Sequence, residues 1–196
     1  TEKTTEAAVT EAAEAAKSEG SDNWKVAILT GTVSQGEEEF RAAERALETY
    51  GPEHIVTATY PDNFMSEMET TVSQIVSFAS DPDVKAILCS RGGYGAVHLI
   101  DKLDFTHFRE HPTWVIGFSD ITALHNLIQH NGIASLHAPM ARHITVEPEN
   151  DPCSMHLRQI LTGTLPEYTC EKHKLNRQGT AQGILRGGNM AVFYGL

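Results

Sequence analysis

The sequence predicts an α/β protein built on a doubly wound parallel sheet. Short apolar runs alternate with longer segments of helical period. Strands alternating with helices imply parallel βαβ units joined by right-handed crossovers. Two glycine-bearing turns, Ser90–Gly95 and Gly117–Asp120, lie about 25 residues apart. Each follows an apolar run and leads into a helical pattern, which puts both at the carboxyl ends of strands, where such sheets bind ligands.

The elements follow in order from Trp24. Trp24–Leu29 reads as a buried strand, and Thr30–Gln35 as a polar turn. Gly36–Tyr50 reads as a helix with Phe40, Ala43, Leu47 and Tyr50 on one face and Gly51 placed to end it. Ile55–Ala58 is a second strand and Pro61–Asn63 a loop. Glu67–Ala79 is a helix that turns Met68, Val72, Ile75 and Phe78 or Ala79 inward. Val84–Cys89 is the third strand. Ala96–Ile100 begins a short helix, and Phe105–Arg109 makes a further turn of one. Trp114–Gly117 is the fourth strand, Asp120–His130 a helix with Ile121, Leu124 and Ile128 inward, and Ile133–Leu136 the fifth strand. The expected strand order is 2-1-3-4-5, a sheet of the Rossmann or flavodoxin kind.

The rhythm breaks after Pro139. Ser154–Leu161 reads as helical, while Glu167–Cys170 and Gly183–Leu185 read as extended. Gly187-Gly188-Asn189 opens an apolar segment that runs to Leu196, so a chain truncated before a C-terminal domain is expected. Residues 1–23 are rich in Ala, Glu, Thr and Ser and read as a low-complexity tail. The expected organisation is this tail, a parallel α/β domain over 24–150, and a linker with the start of a truncated second region over 151–196.

At 196 residues with 40% hydrophobic content, the chain can fill a real core. A formal charge of −11 with no basic stripe argues against a nucleic-acid partner. No apolar run approaches a membrane span. Cys89, Cys153 and Cys170 lack CxxC spacing and read as reduced thiols, which favours the cytoplasm. The histidines show no paired metal spacing and the Gly-rich turn is neither GxGxxG nor a P-loop, so neither metal nor cofactor is expected.

The two turns carry the parts of an acyl-transfer site. A serine at a strand-to-helix turn exposes its hydroxyl, and helix-start N–H groups aim at the same space. Ser119 is the candidate nucleophile, the Asp120 N–H one oxyanion donor, and Gly92 or Gly93 the second. The plain alternatives are local. Ser before Asp at a helix start is most often an N-cap, and a Gly-rich turn is often only a tight turn. His125 and His137 are more often structural than basic at such positions.

These residues resemble a known family. Val84–Gly95, then Leu103-Asp104-Phe105, Ile116–Leu124, His137-Ala138-Pro139-Met140 and Gly183–Asn189 are similar to the LD-carboxypeptidases (muramoyltetrapeptide carboxypeptidases and microcin-immunity peptidases). The resemblance covers about residues 81–196. It implies a serine peptidase with a Ser-Glu-His triad that cleaves an LD bond before a C-terminal D-amino acid in cell-wall muropeptides. Ser119 matches the nucleophile, and Asp120 with Gly92 and Gly93 the oxyanion region; Arg91 and Tyr94 are the expected substrate contacts. The family's Glu and His lie beyond its Gly-Gly-Asn motif and have no matching position here, so a site nearly inert alone is expected.

Residues 24–80 depart from that family. Trp24–Ala79, with Thr30–Gln35, Tyr60–Met65 and Glu69-Thr70-Thr71, is similar to uncharacterised bacterial lipoproteins with a periplasmic-binding-protein-like fold. The two resemblances together read as a chimera, natural or made. They leave two alternatives to the peptidase: a small-solute-binding module of lipoprotein type, or a folded chimera without activity. A peptide or muropeptide is the expected partner, a homodimer is compatible with the sequence, and an exported lipoprotein context is the alternative to the cytoplasm.

Overall fold

In a computed structural model, residues 23–148 and 150–196 are described. The tail read over 1–23 lies outside them, apart from its last residue. Five parallel strands form one sheet: β1 (Lys25–Thr30), β2 (Ile55–Thr59), β3 (Val84–Cys89), β4 (Trp114–Gly117) and β5 (Leu136–His137). Their order is β2-β1-β3-β4-β5, as the sequence predicts. The direction of winding reverses between β1 and β3. That switch point opens a crevice at the carboxyl ends of the two strands.

Both faces of the sheet are buried, so alternate residues of a strand enter different cores. Ala27 and Leu29 of β1, Ile87 and Cys89 of β3 and Val115 of β4 face one core. It is closed by α2 (Met68–Ser80), a 3₁₀ turn (Ala96–Leu99), α3 (Thr106–Glu110) and α4 (Thr122–His130). On the opposite face, Ile28 meets Ala43 of α1 (Val33–Tyr50). Ala86, Ile116 and Leu136 meet Leu157 of a later helix, α6 (Pro152–Leu161), which follows α5 (Ala141–Val146). The last helix, α7, is Met190–Tyr194. Among the described residues no helix is long and apolar enough to cross a membrane.

Several elements differ from the sequence reading. Helix α1 starts at Val33, three residues early, and carries non-helical backbone at Gly36. Tyr50 of its expected inner face is exposed. Strand β5 is Leu136–His137 rather than Ile133–Leu136, because β4 offers it only the pairings Ile116 with Leu136 and Gly117 with His137. Glu167–Cys170 and Gly183–Leu185 join no ladder. Helix α5 was not foreseen.

Candidate active site

The turn after β4 is tight. Ser119 sits at φ 61°, the one non-glycine residue with positive φ among the described residues. This left-handed conformation costs an L-residue roughly 1–2 kcal/mol, and such strain concentrates at functional turns. The N-cap of the 3₁₀ turn Ser119–Ile121 is Phe118, so the common N-cap role does not fall on Ser119. A Ser119→Gly variant should therefore unfold at higher denaturant than Ser119→Ala, by about 1 kcal/mol, because only glycine adopts this backbone freely. Equal urea midpoints would remove the strain argument.

Gly92 faces this serine from the neighbouring turn. A Cβ built on Gly92 would lie 3.0 Å from Ser119 Cβ, 3.3 Å from Ser119 Oγ and 3.5 Å from the Asp120 nitrogen. Only a glycine thus lets the two turns approach this closely, with the Gly92 Cα beside the Ser119 hydroxyl and the Asp120 N–H. Gly93, at φ 129°, looks into open space instead. Of the two candidate glycines the fold brings Gly92 to the serine.

Asp120 ties the two turns together. Its side chain is 9% exposed, and Oδ2 accepts a 2.8 Å hydrogen bond from the Ala96 nitrogen. That satisfies a donor at the start of the 3₁₀ turn after the Gly-rich loop.

Arg91 and Tyr94 line the same cavity as Gly92, Gly93 and Asp120. The Arg91 guanidinium donates through Nη1 to the Gln35 carbonyl at 2.6 Å, spanning the crevice between β1 and β3. Tyr94 is 78% exposed and sets its ring edge against His98. Neither makes a contact with Ser119.

No base reaches Ser119 Oγ among the described residues. His125 is 5% exposed and uses both ring nitrogens: Nε2 lies 2.9 Å from the Gly117 carbonyl and Nδ1 2.9 Å from Ser135 Oγ. The carbonyl can only accept, so Nε2 carries the proton and Nδ1 accepts from the serine. Burial lowers its pKa, aided by His137; the bond to Gly117 opposes the shift. The folded state thus disfavours the protonated ring. Stability should rise with pH through the ordinary histidine range and level off above about 6.5. A urea-midpoint profile from pH 5 to 7.5 should be flatter for His125→Gln; an unchanged slope would clear His125. His137 and His143 set their rings against Phe118 at 6.4 and 6.5 Å, and His143 Nε2 lies 3.8 Å from Asp151 Oδ2. Neither bonds Ser119.

A third segment closes on the site from behind. The Asn189 nitrogen donates to Thr122 Oγ1 at 2.9 Å, and Gln129 Nε2 donates to the Leu185 carbonyl at 2.7 Å. Gly188, at φ 143°, lies so close to Thr122 that a Cβ there would sit 2.6 Å from its Oγ1 and Cγ2. The Gly-Gly-Asn motif is therefore packed on the first residue of α4. Sequence reasoning placed the motif but missed Thr122, which is 0% exposed and takes this long-range contact.

The fold and site together define a parallel α/β protein with a strained serine at a strand-to-helix turn, facing a glycine of the neighbouring turn. The comparisons with known proteins agree. The chain is 35% identical over 116 residues to the probable murein peptide carboxypeptidase of Bacillus subtilis, covering 57% of this chain and 36% of that protein. It is 27% identical over 181 residues to the murein tetrapeptide carboxypeptidase of Pseudomonas aeruginosa, covering 86% of this chain and 58% of that protein. The crystal structure of muramoyltetrapeptide carboxypeptidase from Oxalobacter formigenes superposes with a TM-score of 0.57 at 25% identity, covering 69% of this chain and 48% of that one. The chain is thus similar to the LD-carboxypeptidase family, and spans about a third to three-fifths of the length of these relatives. Residues 24–110 also match the family described as protein of unknown function (DUF3798). The two likenesses overlap, since an alignment over 86% of the chain must include much of its first half.

Proposed function

We propose that this chain forms the nucleophile and oxyanion half of a serine carboxypeptidase acting on cell-wall muropeptides. The observation that carries the reading is the close approach of Gly92 to Ser119, where a Cβ would lie 3.3 Å from Ser119 Oγ and 3.5 Å from the Asp120 nitrogen. The similarity to murein peptide carboxypeptidases supports the substrate class. The reaction is acyl transfer. Ser119 Oγ bonds to the scissile carbonyl carbon while the developing oxyanion meets the Asp120 N–H. The C–N bond then breaks, and the proton from Oγ passes through a base to the departing amine. Water next attacks the ester, releases the new carboxylic acid and returns a proton to Oγ.

The base has no occupant among the described residues, since His125 is neutral and committed on both nitrogens. A serine without a base is a poor nucleophile. Incomplete triads retain only about 10³–10⁴ over the uncatalysed rate, from the oxyanion donors and binding. A fluorophosphonate probe should accordingly label Ser119 slowly in this chain. Fast labelling that disappears in Ser119→Ala would show that a base acts on Oγ and would overturn the half-site reading.

A further inference from the structure

The break in α1 at Gly36 brings a buried acid to a guanidinium beside the proposed site. Gly36 has extended backbone, φ −177° and ψ 88°, and α1 kinks there. A Cβ on Gly36 would lie 2.6 Å from Glu39 Oε2 and 3.3 Å from Arg91 Nη1. The carboxylate and the guanidinium therefore meet at this bare stretch of backbone, within the range of about 4–6 Å over which opposite charges stabilise one another.

Glu39 is 8% exposed. Acidic side chains are rarely buried so far without an opposite charge. Arg41, two residues on, is engaged with Glu37 and Glu44 instead. Both Glu39 and Arg91 also act on the Tyr60 phenol: burial pushes its pKa up, Arg91 pulls it down and Glu39 pushes it up. Acid, guanidinium and phenol thus form one cluster at the switch point, where such sheets take their ligands.

Arg91 is one residue from Gly92, which faces Ser119. Its Nη1 donates to the Gln35 carbonyl at 2.6 Å, and its remaining N–H groups have no partner among the described residues. Those donors form a planar fork that takes a carboxylate in two parallel hydrogen bonds. A loose arginine must give up rotamer freedom to bind in this way, and one already held gives up less.

We infer that Glu39 is a positioning residue: with the Gln35 carbonyl, it holds the Arg91 guanidinium in place to receive a carboxylate of the peptide that Ser119 attacks. The inference rests on the peptidase reading for the identity of the ligand, but not for the relation of Glu39 to Arg91.

Two fluorophosphonate probes of equal length, one ending in a carboxylate and one in the matching carboxamide, test it together with nitrogen-15 spectra of the Arg91 side chain. In the unmodified chain the carboxylate probe should label Ser119 about tenfold faster than the carboxamide, the worth of one charge-assisted hydrogen bond. The overall charge of −11 opposes that preference, so a local cation must create it. Glu39→Gln, close in size, should bring the ratio toward one. A carboxylate acting only through its own field predicts the reverse, because its removal would raise the ratio. The Arg91 guanidinium, assigned with Arg91→Gln, should show slow rotation of its terminal N–H groups, and rotation about tenfold faster in Glu39→Gln. A ratio near one in the unmodified chain overturns the inference, as does an unchanged or raised ratio in a folded Glu39→Gln. Free rotation of the guanidinium in the unmodified chain overturns it even if no variant folds. If neither probe labels Ser119, the peptidase reading fails by itself, and the Arg91 spectra alone decide on Glu39.

Discussion

Replacing Gly92 by alanine is expected to slow fluorophosphonate labelling of Ser119 at least tenfold, by crowding the approach to Oγ rather than by removing a donor, since the N–H of residue 92 remains. The added Cβ would lie 3.3 Å from Ser119 Oγ and 3.5 Å from the Asp120 nitrogen, inside the space the tetrahedral centre must occupy. It would also press on Ser119 Cβ at 3.0 Å, tighter than ordinary van der Waals contact. The backbone of Gly92 is not among the positive-φ glycines, so alanine meets no conformational penalty there. The urea midpoint should fall only by the cost of relieving the 3.0 Å contact with Ser119 Cβ, and the variant should still unfold cooperatively while reactivity falls. Mass spectrometry of the labelled serine over hours separates the two effects. Labelling at the unmodified rate would mean that the reacting carbonyl approaches from another side, and the proposed site would fail.

Asp120→Ala should destabilise the chain by about 1–3 kcal/mol, the cost of leaving a buried donor unsatisfied. The lost bond is the 2.8 Å contact from the Ala96 nitrogen, formed across 24 residues of sequence. Asp120→Asn keeps an acceptor of the same shape and should lose clearly less. The difference between the two variants isolates the hydrogen bond from the packing of the side chain. Urea unfolding monitored by circular dichroism measures it. An alanine variant as stable as the unmodified chain would show that the two turns hold their relation without Asp120. The same variant keeps the backbone N–H of residue 120, so slower labelling would report displacement of the turns rather than removal of a donor.

Much of the fold was legible because the strands are short apolar runs with sharp polar or glycine ends. Val84–Cys89 and Trp114–Gly117 fall where the sequence puts them, bounded by Ser90 and by the Gly117 turn. The strand order followed from the alternation of elements and the crossover rule. The misses have local causes. Gly36 reads as the first residue of a helix, yet it sits inside α1, where non-helical backbone joins a first turn from Val33 to the rest. Ile133 is apolar and supports the core, but strand length is set by the partner, and β4 is too short to pair with it. Helix α5 carries no clear apolar period and could not be read from one sequence.

The site was legible in part, and for a different reason. Strand ends and turns can be located from sequence, so Ser119, Asp120 and the Gly-rich turn could be named as candidates at the ends of β3 and β4. Their mutual approach could not be, because Gly92 and Ser119 are 27 positions apart and meet only when β3 and β4 pair. The plain N-cap alternative for Ser119 does not hold, since Phe118 takes the cap position and Ser119 sits at φ 61°. Arg91 read as a contact for the peptide, but in the fold it bridges to Gln35. That partner lies 56 positions earlier and left no local mark.

The contact of Asn189 with Thr122 also has a consequence for how the chain can change. Between Leu161 and Gln182 the residues are almost all exposed and join no ladder, yet the segment's far end is fastened to α4. Such an excursion is a loop whose closure entropy grows only with the logarithm of its length, about 0.6 kcal/mol per doubling. Insertions and deletions there leave the anchor in place at small cost. Gly188 has no such latitude, since any side chain there meets Thr122 at 2.6 Å. Length is therefore free to drift across some twenty residues, while the fastening point is held to a single residue type.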